Sequence, residues 1–164
     1  MRDSNRTKKI LADAMIELMQ EKPFEKISIS DICEYCDMNR KSFYYHFLDK
    51  YDLVNWIFDT EFISVVQQMI NEDSLILIKS TAELLYRNRK FYSKALQIQG
   101  QNSFSEHFRD MLYSVVSTRL EELTGIQQEH AFQKQFFTDA VVMAFYRWIV
   151  DGSELTPDEF TDEL

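Results

Sequence analysis

Glycine is nearly absent from this 164-residue chain: Gly100, Gly125 and Gly152 are the full set, and none falls in the first 99 positions. Average usage of about 7% would give roughly eleven. A phosphate-cradling loop needs glycine wherever the backbone must approach the ligand, and neither G-x-G-x-x-G nor G-x-x-x-x-G-K-[ST] can be written here. Dinucleotide-binding and P-loop readings are excluded. Proline is equally scarce, at Pro23 and Pro157, so turn chemistry is sparse and helices joined by short connections are favoured. The two cysteines, Cys33 and Cys36, are too few for a disulfide framework and suit a reducing compartment. Long apolar runs are missing too. The longest, Ala140 to Tyr146 and then Trp148 to Val150, is broken by Arg147 and is about half of the roughly 20 residues a spanning helix needs. The first nine residues are basic, but Asp13 and Glu17 interrupt what would be a signal peptide's apolar region. A cytoplasmic protein without membrane association is expected.

What is present is a folded, globular composition, with 45% apolar, 14% aromatic and 27% charged residues. The net charge of −9 taken alone opposes nucleic-acid binding, because phosphate neutralisation needs a basic surface. Its distribution removes the objection. Residues 1–50 hold nine Lys or Arg against nine Asp or Glu, and the whole excess comes from residues 51–164, with nine against eighteen.

Leu11, Ala14, Met15 and Leu18 recur at helical spacing and predict an amphipathic helix from Ser4 or Asn5 to about Glu21, ended by Pro23. Two short helices follow, about Ile29 to Tyr35 and Arg40 to Tyr45, too short to be stable without the first. Ser28 and Asp31 form a capping-box pattern, Cys36 to Asn39 supplies a tight turn in which Asp37 tolerates a left-handed conformation, and Asn39 caps the next helix. Longer helices are expected at about Asp49 to Ile70, Ser74 to Asn88, Lys90 to Gln99, Ser103 to Thr124 and Glu129 to Val150, with a short one after Pro157. Nothing reads as strand, so the fold class is all-α.

Two short helices separated by a four-residue turn and propped by a third are the helix-turn-helix arrangement, whose second short helix enters the DNA major groove. Met38, Phe43 and Phe47 would pin that helix down. Asn39, Arg40, Lys41, Ser42, Tyr44, Tyr45 and His46 crowd donors, cations and aromatic faces into eight positions, and Lys50 opens the following helix. Phe24 to Cys33 and Met38 to Leu53, above all Phe43-Tyr-Tyr-His-Phe47 followed by Asp49-Lys50, closely resemble the TetR family of bacterial transcriptional regulators. The resemblance implies that Arg40, Lys41, Tyr44 and Tyr45 meet bases and backbone in the groove, while Ser28, Ser42, His46 and Lys50 mostly hold phosphates. It also implies a homodimer on a near-palindromic double-stranded DNA operator, with a C-terminal domain for dimerisation and sensing. Where the family usually carries Ala-Gly in the turn, this chain has Cys36-Asp37. Leu53 to Phe62 and Phe145 to Gly152 are similar to a subgroup that includes regulators of dihydroxyacetone kinase operons, which implies control through a partner protein.

The expected division is a helix-turn-helix domain over 1–48 and a regulatory, dimerising domain over 49–164. Phe137, Val141, Phe145, Trp148 and Ile149 recur at near-helical spacing on a strongly apolar helix and are expected at the dimer interface. Tyr86, Phe91, Tyr92, Phe104, Phe108 and Tyr113 are candidates for an effector pocket between helices, with core as the competing reading. Cys33 and Cys36 lack the further ligands a zinc site needs and read as packed small residues. Glu106, His107 and Asp110 could ligate a metal from one helix, joined by His130 if the fold brought it near, but three histidines scattered singly through the chain argue against a metal site; no catalytic constellation can be drawn from spacing, and no cofactor is called for. The chain is expected not to be an enzyme. Two alternatives stand beside the operator-binding regulator, which takes an unknown small-molecule effector or partner protein: a coactivator with an acidic recruiting domain, and a helical interaction module without DNA affinity.

Overall fold

Leu11, Ala14, Met15 and Leu18 are buried along one side of α1 (Arg2–Glu21), while Lys9, Asp13 and Glu17 are exposed. That is the stripe the spacing demands. The structure, a computed structural model, describes residues 2–68, 74–100, 102–124 and 131–164. After α1, a single 3-10 turn (Phe24–Lys26) follows Pro23, and its three residues are too few to show any periodicity. It buries Phe24 edge-on against Tyr51, with ring centroids 4.9 Å apart. Then come α2 (Ile29–Tyr35), α3 (Arg40–His46) and α4 (Lys50–Gln68). The first three helices pack together around Met15, Ile32, Phe43 and Phe47 as an N-terminal helix-turn-helix, and α4 carries on from it.

The C-terminal helical domain contains α5 (Ser74–Arg87), α6 (Arg89–Ala95), α7 (Phe104–Thr124), α8 (Ala131–Val150) and α9 (Pro157–Asp162). Its centre is aromatic. Phe58 of α4 lies 5.4 Å from both Phe104 and Phe108 and 5.0 Å from Phe62. A second cluster stacks Trp148 on Phe160 at 4.3 Å, and the capping box of Thr156 and Glu159 holds the short α9 that delivers Phe160.

Two expected boundaries move. The sixth helix ends at Ala95 rather than Gln99, because the chain tightens through Ile98 N–H to Ala95 C=O and then turns with Gly100 (φ 111°) and Asn102 (φ 62°) left-handed. The recognition helix runs one residue further, to His46. The expected connections at 71–73 and 125–128, the helix start at Glu129, the stretch beyond Gln68 and His130 lie outside the described residues. No strand occurs among the described residues, and none of their helices is long and apolar enough to cross a membrane.

One expectation is overturned in part. Phe145, Trp148 and Ile149 were expected to face a second copy, but all three are buried in this chain's own core, Phe145 against Phe108 and Phe160. The outward side of α8 carries Phe132, Phe136, Phe137 and Met143, all exposed, with Val141 half-buried beside them.

Candidate nucleic-acid interface

The second helix opens on a reciprocal cap: the Asp31 N–H donates to Ser28 Oγ at 3.1 Å, and the Ser28 N–H and hydroxyl each donate to Asp31 Oδ2 at 2.7 Å. Lys22 approaches the other carboxylate oxygen at 3.2 Å. The Ser28 hydrogen bonds, with Lys22 behind them, hold the Asp31 carboxyl down at about 2, against an ordinary 3.8. Ser28 is thus first a capping residue.

The helix then closes on a Schellman turn. Met38 N–H donates to Cys33 C=O at 2.8 Å and Asp37 N–H to Glu34 C=O at 3.3 Å, with Asp37 left-handed at φ 53°. Cys33 is buried, the Cys36 thiol donates to the Ile32 carbonyl at 3.1 Å, and burial pushes both thiols up, so neither is a ready nucleophile. Asn39 caps α3 by accepting from the Ser42 N–H at 2.8 Å and the Ser42 hydroxyl at 3.2 Å. Phe43 and Phe47 are buried and Met38 packs on the core, as the pinning role requires.

With those residues turned inward, α3 presents Arg40, Lys41, Tyr44 and Tyr45 to solvent; Tyr45 is 82% and Tyr44 51% exposed. Arg40 lies over the Tyr44 ring at 6.0 Å, and His46 sits edge-on to Tyr45 at 4.9 Å. Lys41, Tyr45, Ser42, His46 and Asn39 line one shallow cleft that Thr7 of α1 completes. The face therefore joins two cations, two phenols, an imidazole and an amide on one capped, seven-residue helix, a donor-rich set suited to phosphates and base edges. Thr7 was not singled out from the sequence, since only packing brings α1 beside α3.

Lys50 is placed differently from its expected phosphate role. Its ammonium donates to the carbonyls of Phe24 at 2.8 Å and Ile27 at 2.9 Å and lies 4.2 Å from the Phe24 ring centroid, and partial burial pushes its pKa down. It ties α4 to the loop before α2. Nearby, Asp49 accepts from the Asp52 N–H and Asp52 from the Leu48 N–H, fixing the entry into α4.

Among the six effector-pocket candidates, Phe91, Tyr92, Phe104 and Phe108 come together as core, with Phe104 and Phe108 stacked at 5.8 Å and Tyr92 donating to Glu61 at 2.7 Å. Tyr86 stands apart, stacked on Trp148 at 5.7 Å, and Tyr113 is half-buried. His107 does not meet Glu106 or Asp110; it reaches Asp59 of α4 at 2.5 Å, and no metal-binding group of histidine, cysteine and acidic residues occurs among the described residues.

Fold and face together define a protein with an N-terminal helix-turn-helix and a C-terminal helical domain. Residues 11–57 match the family described as bacterial regulatory proteins, tetR family, and residues 72–164 match a transcriptional regulator C-terminal region. The chain belongs to the TetR family of transcriptional regulators. It is 32% identical over 112 residues, 66% of its length, to the HTH-type dhaKLM operon transcriptional activator DhaS of Lactococcus lactis, and the match spans 57% of that relative. Among solved structures, the dihydroxyacetone kinase operon activator DhaS superposes with TM-score 0.71 at 22% identity, covering 96% of this chain and 90% of that one. A TetR transcriptional regulator from Streptococcus agalactiae gives TM-score 0.76 at 22% identity over 99% and 93%. These two likenesses concern the fold.

Proposed function

We propose that this TetR-family regulator binds a near-palindromic DNA operator as a homodimer, reading it with α3, and that a ligand or partner protein acting on the C-terminal domain controls the binding. The carrying observation is the exposed face of Arg40, Lys41, Tyr44 and Tyr45 on a helix whose opposite side is buried and whose N-terminus is capped. Solvent exposure of two adjacent tyrosines gains nothing for the isolated domain, whereas stacking and hydrogen bonding against DNA uses both. Asn39 and Ser42 contribute at the start of α3 and His46 at its end, Ser28 at the start of α2, and Lys50 supports the reading from behind. Residues 1–48 do the reading and 49–164 the dimerisation and control, in the cytoplasm.

The exposed phenylalanines of α8 support the dimer, with Phe137 and Val141 retained from the sequence expectation and Phe132, Phe136 and Met143 joining them. Two-fold symmetry would set the recognition helices on half-sites roughly 34–36 Å apart. A controlling ligand shifts the dimer between competent and incompetent spacings by no more than its differential affinity for them. The similarity to DhaS, named as a dhaKLM operon transcriptional activator, favours control of an operon and, as a second reading, activation in place of repression.

The test is selection of duplexes from a random DNA pool by the purified protein, with Tyr45→Ala in parallel. Enrichment of a near-palindrome by the wild type alone supports the proposal, with affinity falling steeply as salt rises. No enrichment at any salt by folded, dimeric protein would overturn operator binding by the protein alone and leave either a required ligand or partner or the interaction module.

A further inference from the structure

No basic residue lies in the last turn of α1, although the closing carbonyls of a helix lack intrahelical partners and favour a cation. The cation comes from the C-terminal domain. Lys94, in the last turn of α6, donates to the carbonyls of Gln20 at 3.3 Å and Lys22 at 3.4 Å, where α6 packs on α1. Lys50 of α4 holds the carbonyls of Phe24 and Ile27 in the same way. The connection from α1 to α2 is therefore gripped at four carbonyls by two ammonium groups from helices that follow the helix-turn-helix. It also leads towards the reading face. The Lys22 ammonium reaches Asp31 at 3.2 Å, Asp31 closes the cap of α2, and α2 packs on α3.

We infer that Lys94 is a positioning residue for α3, fixing the orientation of the helix-turn-helix against the C-terminal domain and with it the half-site spacing that the dimer accepts. This rests on the operator-binding reading above. An attachment at Lys50 ties the three-helix unit to α4 alone, whereas a second grip from a different helix opposes any pivot about the first. The grip also gives the C-terminal domain a lever, because a displacement of α6 is passed to the end of α1 through hydrogen bonds rather than absorbed between the two helices.

The experiment uses the full chain and the selected operator, with the spacer between half-sites lengthened or shortened by one base pair, which turns one half-site against the other by about 35° and shifts it by about 3.4 Å. Wild type should prefer the selected spacing. K94M, which keeps most of the aliphatic stem and loses the donors, should lose about tenfold of that preference, a size ordinary for coupling between sites, and K94A should match it. K90M removes the same charge from an exposed position of the same helix and should keep the wild-type preference. A merely structural role would lower the melting temperature of K94M and K94A but leave the ratio of affinities between spacers unchanged. That result, an equal loss in K90M, or no spacing preference in the wild type overturns the inference while leaving operator binding intact. Failure of the wild type to select any sequence would overturn operator binding by the protein alone, and the inference with it.

Discussion

Asp37 carries both a conformational cost and a negative charge in the turn before α3. Its φ of 53° places it in the left-handed region, where a side chain costs roughly 1 kcal/mol relative to glycine. Asp37→Gly should therefore raise unfolding free energy by about 0.5–1 kcal/mol in denaturant melts, and removing a negative charge beside the reading face should tighten operator binding. Lys50→Ala should act in the reverse sense and by a different route. Losing two charge-assisted bonds to the Phe24 and Ile27 carbonyls should cost about 1–2 kcal/mol of stability, so any loss of DNA affinity should be accompanied by a lower melting temperature. Tyr45→Ala, by contrast, removes an exposed ring, and should weaken operator binding strongly with melting temperature and dimerisation unchanged. The exposure of Tyr45 was legible from its place in the motif. The diversion of Lys50 was not, because its partners are 26 and 23 positions back in the chain.

The short helices exist because of their ends. The seven-residue α2 has too few internal hydrogen bonds to persist alone, and its reciprocal Ser28–Asp31 cap and Schellman turn satisfy groups that would otherwise be orphaned. The cap makes its stability pH-dependent in a defined direction. Asp31 titrates at about 2 in the folded chain, below its ordinary 3.8, so its contribution is complete above about 4 and is lost as pH falls towards 2. Thermal melts across that interval should show the wild-type advantage over Asp31→Asn shrinking as the solution is acidified. Capping residues and turn were readable because Ser, Asp and Asn act within three or four positions of themselves. The 3-10 turn at Phe24–Lys26 and the early end of α6 were not, since both are decided by what Phe24 and Ile98 bury against.

For the whole molecule, α8 divides its apolar residues between the chain's own core and the outside, and the two sets should fail differently. Phe136→Glu with Phe137→Glu should leave a folded monomer by analytical ultracentrifugation, with operator affinity lost because one half-site no longer assists the other. Phe145→Ala should instead destabilise the fold by about 3–5 kcal/mol, visible as a collapse of the melting temperature at any protein concentration. Periodicity could mark α8 as unusually apolar but could not assign its faces. Phe137 and Phe145 both fit a buried stripe, and only the packing of α7 and α9 shows that Phe145 is enclosed while Phe137 remains outside. The amino-acid sequence by itself determined the all-helical class, the helix-turn-helix and its caps, and the donor-rich character of the third helix, because these follow from contacts between residues a few positions apart. Tertiary structure alone decided that Lys50 fastens a loop, that four candidate pocket aromatics fill a core, and which side of α8 remains uncovered. Those outcomes depend on residues tens of positions apart competing for the same buried space, which no local pattern records.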